Sequence, residues 1–467
     1  MKRIVALFLI AALLGCGTKT DALFGIETDA ALAYIAWCRD MENDAAWRKY
    51  DRLKGEAEAR IYPDEPALLP LLREERALVR QYDLLPVALR IEMFGKTWTG
   101  DAILSDPTLD RESFDALYAA YMAQFNAAAG AIFLDLLAVR KKIAAARGFD
   151  SYTAYRYGGR DETPDDAAAF CARVKAAFVP LIEKRQAAFY LAAGRLYGAA
   201  FEPEPTAARV GEAIVSLLPE LSEPWNTMVS RDLYDLGTGP DRLPGAFVQY
   251  LPAERAPYLF LDWTGGFESP AALARAFGRY AALYQGEDRI YNGSASDLVE
   301  IDAQGLELLT VLRYDTIYGE LSRAAETAEL YFALYTLLDG CAEDAFLRYA
   351  FSADAPTVAE LNGAYRRICT EYGLTAYGEE PRSWTRDPDL FRSSDGIGKA
   401  VGAIAALELY LLAKREPNAA IEAYRALLNS TDVPVRRALN GAGLFDPFRA
   451  DTPARIADGL SAEGNRE

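Results

Sequence analysis

The 467-residue sequence contains no histidine. That absence removes the imidazole ligands of hydrolytic zinc sites, every Ser-His-Asp or Cys-His catalytic arrangement, and any histidine pH switch. Cysteine is scarce too: Cys16, Cys38, Cys171, Cys341 and Cys369, none at metal-ligand spacing. The last four allow three disulfide pairings in an oxidising compartment, but their stretches read as helical, which favours buried free thiols. Positive charge is also in deficit, with 50 Lys and Arg against 68 Asp and Glu for a formal charge of -18. Such a surface repels nucleic acid and anionic lipid headgroups, so no nucleic-acid partner is expected. Long low-complexity tracts are missing, and with 51% hydrophobic and 25% charged residues the chain has the composition of a large folded body.

What is present begins with "MKRIVALFLIAALLGCG" at residues 1–17. Lys2 and Arg3 precede an apolar run too short to span a bilayer, which ends in Leu13-Leu14-Gly15-Cys16. This resembles a bacterial lipoprotein signal. The resemblance implies removal of residues 1–15, acylation of Cys16, and a lipidated tether over 16–27. The protein is then extracytoplasmic and held to a bacterial cell membrane, inner or outer, by several acyl chains. Loss of Lys2 and Arg3 leaves 48 basic against 68 acidic residues, or -20. The lipid, not a basic patch, is the expected membrane contact.

Apolar residues recur at helical spacing over 28–54, 65–96, 110–147, 163–198 and 205–219. The pattern resumes over 269–285, 294–318, 320–339, 342–351, 356–373, 397–415 and 417–429. Stop signals such as "GFD" at 148–150 and "DETPDD" at 161–166 separate these segments. Only 245–263, "GAFVQYLPAERAPYLFLDW", has the aromatic, Pro-interrupted character of a small β element. The expected fold is all-α, mainly helical, with that β element near its middle.

The segment order from about 130 onward resembles the oligoendopeptidase F and thimet-oligopeptidase family of zinc metallopeptidases. The likeness starts at "RKKIAAARGFDSYTAYRY", 140–157, and continues through "TPDDAAAFCARVKAAFVPLIEKR", 163–185. It is strongest at "PYLFLDWTGGFESPAALARAFGRYAALYQ", 257–285. In the family this frame is a strand, a glycine turn, and a helix bearing His-Glu-x-Gly-His, whose histidines bind zinc and whose glutamate is the general base. Here it reads Arg275-Ala276-Phe277-Gly278-Arg279.

Downstream, "LVEIDAQGLELL", 298–309, is similar to the family segment that supplies the third zinc ligand. Glu300 falls on that ligand, Glu307 on a second acid, and Asp302 on a family histidine. "YDTIYGE", 314–320, and "LLDGCAEDAFLRYAF", 337–351, also fit, with Arg348 at another histidine position. The family's tyrosine-rich stretch, whose hydroxyls stabilise the oxyanion, corresponds to "DLFRSSDGIGKAVGAIAALELY", 389–410. There Ser394, Asp395, Gly396 and Lys399 stand near the tyrosine positions. The resemblance implies a helical metallopeptidase-like domain over 131–460, a deep cleft between two lobes, and a separate N-terminal helical region over 28–130.

The implied chemistry is degenerate at Arg275, Ala276, Arg279 and Glu300, so no catalytic residue and no zinc are expected. A guanidinium about 5 Å from a divalent ion is repelled by roughly 6–7 kcal/mol at an effective dielectric near 20, and it stays charged at ordinary pH. Glu300, Gln304 and Glu307, at i, i+4 and i+7, share one helical face and can meet the arginine helix. An Arg275/Arg279 to Glu300 link is therefore expected to replace the metal as a brace. These five residues, Arg275, Arg279, Glu300, Gln304 and Glu307, are the candidate ligand-binding set, with the two arginines placed to capture a carboxylate. "DGIGKAVG", 395–402, lacks the Walker A positions and reads as a helix start. The expected function is an inactive peptidase-like lipoprotein that binds peptides or a protein partner. The alternatives are a hydrolase using a carboxylate pair and an envelope structural lipoprotein.

Overall fold

A computed structural model describes residues 17–285, 293–375, 383–392, 395–430 and 433–463, with side chains from residue 21 onward and, in the second segment, from 297. The signal segment and Cys16 lie outside the described residues, as does Ser394. The architecture is mainly helical with two small sheets. All four described cysteines are buried free thiols.

Most expected helices form where the periodicity places them, among them Arg111–Ala146, Pro164–Leu196 and Gly396–Arg415. Their starts follow local chemistry. Asp110 caps the first, Thr163 and Asp166 form a reciprocal capping box on the second, and Asp395 accepts from the Gly398 N–H of the third. Thus "DGIGKAVG" is a capped helix start.

Four stretches differ from the periodic reading. The helix expected over 28–54 is two, Gly17–Arg39 and Asp44–Ile61, and that expected over 294–318 ends at Leu309, followed by a tight turn and the short helix Tyr314–Tyr318. The expected helix over 65–96 stops at Asp83, continues as the short turn Leu85–Ala88, and gives way to a hairpin of β1 (Ile91–Met93) and β2 (Lys96–Trp98). Ile91 and Trp98 pair and point inward, while Phe94 and Gly95 take the positive-φ turn between the strands. Conversely, the segments expected at 320–339 and 342–351 are one helix, Ser322–Ser352. Gly340, in the gap between those two segments, is a close approach: a Cβ there would lie 2.6 Å from the Gly396 carbonyl oxygen.

The β element near the middle is a three-stranded sheet in the order β3-β5-β4. β3 (Tyr234–Asp235) runs parallel to β5 (Ala256–Leu261), and β4 (Ala246–Leu251) runs antiparallel to it. β5 is central and buried along its whole length, as a strand covered on both faces must be. Beyond it, Trp263 donates to the Phe201 carbonyl at 2.7 Å and Gly265 turns at positive φ, leading the chain into the helix Ser269–Tyr284.

That helix, called here the arginine helix, packs on the glutamate helix Gly293–Leu309. The glutamate helix packs in turn on the lysine helix Gly396–Arg415, which also faces the long helix Ser322–Ser352. The lysine helix is apolar on nearly every side because it is surrounded. The buried core is continuous from Ala31 to Leu460.

Candidate functional site

The arginine helix turns Leu273, Phe277 and Tyr280 into the core, all at most 1% exposed. Ala276, at the family's general-base position, is buried as well, so that position presents a methyl group to packed protein. Gly278 is needed where the helix crosses its neighbour, since a Cβ would lie 2.7 Å from the Ala303 Cα and 2.8 Å from the Asp302 carbonyl oxygen. This close crossing brings the arginine side chains to the glutamate helix.

Arg275 donates from Nη2 to Glu300 Oε2 at 3.4 Å, and Arg279 donates to Glu300 Oε1. Gln304 donates from Nε2 to Glu300 Oε2 at 3.3 Å and to the Lys399 carbonyl at 3.1 Å, which ties in the lysine helix. Arg275 Nη1 also stands 3.8 Å from Glu307 Oε2. The structure therefore brings together Arg275, Arg279, Glu300, Gln304 and Glu307. Neither arginine faces open water: the side chains are 24% and 26% exposed, and that of Glu300 is 17% exposed.

Burial alone would raise the Glu300 pKa, but Arg279 and Arg275 hold its carboxyl below the usual value. Glu307 behaves oppositely. Burial pushes it up to about 7, with Arg275 and Arg279 lowering it only in part. Glu329 of the long helix is raised further, by burial and then by the neighbouring Glu307. One glutamate is held as the carboxylate while two others favour their protons.

Deeper in, the Lys399 ammonium meets Asp389 at 3.0 Å, Asp339 at 3.3 Å and Glu343. Burial would lower its pKa, but Glu343, Asp339, Asp389 and Asp387 together hold it well above the ordinary value. Asp339, Glu343 and Asp387 bring carboxylate oxygens within 4.8 Å of one another, an arrangement able to hold a cation. Lys399 supplies the positive charge. Its ammonium is thus engaged by acids and is not poised as an oxyanion donor. Asp395 serves as a helix cap and a partner of Arg160.

The remaining motif positions lie apart from this set. Asp302 is buried in the packing against Pro417–Leu428, where the Tyr424 hydroxyl donates to its backbone carbonyl at 3.0 Å. Arg348 belongs to another cluster: it donates to Asp344 at 2.8 Å, and Tyr157 donates to the same carboxylate at 2.8 Å. Sequence reasoning missed Glu329, Asp339 and Glu343. Their signal was available, because Glu329, Thr336 and Glu343 recur at i, i+7 and i+14, one face of a continuous helix.

The residues present do not fit a family-type zinc ion. Both Glu300 oxygens accept from guanidiniums, the two histidine positions carry fixed positive charge, and among the described residues no neutral nitrogen ligand faces Glu300 in their place. No hydrolytic step through zinc follows from this donor set.

No protein-family model matches the chain, and no curated protein matches it. Solved structures do. A Pz peptidase A with an inhibitor superposes with a TM-score of 0.79 at 18% identity, covering 94% of this chain and 90% of the other. A structure described as an oligoendopeptidase F gives 0.79 at 19% identity, with 100% and 97% covered. One described as an oligoendopeptidase F from Bacillus anthracis gives 0.74 at 17% identity, with 94% and 89% covered. At identities this low the likeness carries the fold and not the chemistry: the chain has an oligoendopeptidase F-like fold.

Proposed function

We propose that this protein is a lipid-anchored, extracytoplasmic pseudopeptidase, in which a metallopeptidase-like body without zinc binds peptides or a protein partner. The observation that carries this reading is the pair of guanidiniums on Glu300. Where the resembling family places two neutral ligands and a metal between these helices, this chain places two cations and a hydrogen-bonded carboxylate. The brace survives in kind while the Lewis acid and its base are gone. The similar structures are named as peptidases, which makes an extended peptide the ligand class to test first.

The test is a quenched peptide-library assay on the full chain, with and without chelator, beside fluorescence-polarisation binding of the same peptides. Binding without cleavage is expected. Chelator-sensitive cleavage overturns the reading. Chelator-insensitive cleavage lost in Glu307→Gln replaces it with a carboxylate hydrolase, and the absence of both binding and cleavage leaves the structural lipoprotein.

A further inference from the structure

A recess of about 50 Å³ opens beside the arginine brace, lined in part by Arg275, Gln304, Glu307, Glu329, Phe332 and Thr336. Roughly 10–15 Å³ on this scale suffices for one water. The recess therefore admits a small polar head with its first carbon and excludes an aromatic ring or a guanidinium on its stem. Arg275 and Glu307 keep 24% and 14% of their side-chain surface exposed, so the recess is in contact with solvent.

Its charge is unbalanced. Arg279 is engaged by Glu300, and Arg275 is shared between Glu300 and Glu307. Glu329, only 8% exposed, lines the recess, and among the described residues no cation comes within ion-pair reach of it. The Tyr314 hydroxyl, on a residue 3% exposed, lies close enough to Glu329 to offset part of its rise as a donor, misses strict hydrogen-bond geometry, and has no other hydrogen-bond partner among the described residues. Three carboxyl groups thus surround two guanidiniums, and the largely buried Glu329 carboxyl is left without a cation among the described residues. Buried polar groups of that kind call for a partner.

We propose that this recess is a binding site for a primary ammonium group, namely the N-terminus of a peptide lying in the cleft. The inference rests on the peptide-binding reading above and adds which end of the peptide is held. An ammonium is compact, carries one charge and donates up to three hydrogen bonds, for which Glu307 and Glu329 line the recess as acceptors. A carboxylate ligand fits worse, because both guanidiniums already have carboxylates. A divalent metal fits worse too, because Arg275 opposes it within the same recess.

Proton balance gives a second readout. In the empty site Glu307 is raised by burial and by Glu300, and Glu329 by burial and by Glu307, with Arg275, Arg279, Tyr314, Tyr318 and Glu326 as the other charged or titratable groups nearby. An incoming ammonium favours the carboxylates and releases a proton to solvent.

The experiment is calorimetric titration of the full chain at pH 7 with a lysine-free and arginine-free octapeptide, free or N-acetylated. Acetylation is expected to weaken binding at least tenfold, and the free peptide to release a proton, seen as a dependence on buffer ionisation enthalpy. Glu329→Gln, which imitates the protonated state of the empty site and therefore folds, is expected to abolish the preference while keeping affinity for the acetylated peptide. Equal binding of both peptides to the unmodified chain overturns this inference and leaves the cleft reading intact. No binding of either overturns both, and a preference retained in Glu329→Gln with no proton release places the ammonium elsewhere and refutes the assignment.

Discussion

Replacing Glu300 by Gln should expose how much the arginine brace holds. The change preserves shape but leaves two largely covered guanidiniums without their carboxylate, and it weakens the Gln304 hydrogen bond that reaches the lysine helix. Breaking a fully buried ion pair costs about 3–5 kcal/mol, and exposed pairs contribute under about 1. With the three side chains 17–26% exposed, a loss of about 2–4 kcal/mol is expected. Unfolding entropy of about 2.1 cal/mol/K per residue gives about 1 kcal/mol/K for 467 residues, so Tm should fall by about 2–4 °C. Guanidinium denaturation in the presence of chelator measures the free energy directly. A companion variant, Arg275→Met/Arg279→Met/Glu300→Leu, removes all three charges together. It should lie within about 1 kcal/mol of the unmodified chain, because well-packed apolar groups replace buried ion pairs at little cost. A Glu300→Gln loss below about 0.5 kcal/mol, or a triple variant less stable than Glu300→Gln, would refute the brace.

Three further outcomes follow from the same geometry. Gly278→Ala drives a methyl into the Ala303 and Asp302 backbone and should cost about 1–3 kcal/mol in chemical denaturation, with the loss propagating to peptide affinity. Lys399→Met strips the acid cluster of its cation; stability at pH 7.5 should drop by about 3–5 kcal/mol and recover towards pH 5 as Glu343 and Asp387 take up protons. Glu307 has its folded pKa raised from 4.5 to about 7, so it favours the folded state below pH 4.5 and loses that contribution as pH rises to 7. Thermal melts from pH 4.5 to 8 should accordingly show a falling stability that is flatter in Glu307→Gln, and an unchanged slope in that variant would contradict the assignment.

Much of the fold was readable because its signals are local. Helical periodicity, the Thr163 box, the Asp395 cap and the Pro-broken strands at 245–263 all act within a few residues. The hairpin at 91–98 was missed because three-residue strands leave almost no alternation to read, and the helix pattern before it spilled over. The long helix over 322–352 was divided for the opposite reason: the gap between its two expected segments holds Gly340. Its meaning is a contact with Gly396, 56 residues away, which local sequence does not encode. At the site, the i, i+4 and i+7 spacing of Glu300, Gln304 and Glu307 anticipated a shared face. What the sequence did not reveal was the acid excess, since Glu329 meets Glu307, and Asp339, Glu343, Asp387 and Asp389 converge on Lys399, only through packing of the long helix, its neighbours and the short helix Pro388–Arg392.

The central claim is that two guanidiniums on Glu300 stand where the resembling peptidases hold zinc. Metal analysis of the unmodified chain and of Arg275→His/Arg279→His, both equilibrated with excess zinc and then desalted, tests it most directly. Well under a tenth of a zinc per unmodified chain is expected, and close to one per double variant, where two neutral imidazoles and a freed Glu300 share the crossing. Stoichiometric zinc in the unmodified chain, or none in the variant despite native folding, would contradict it.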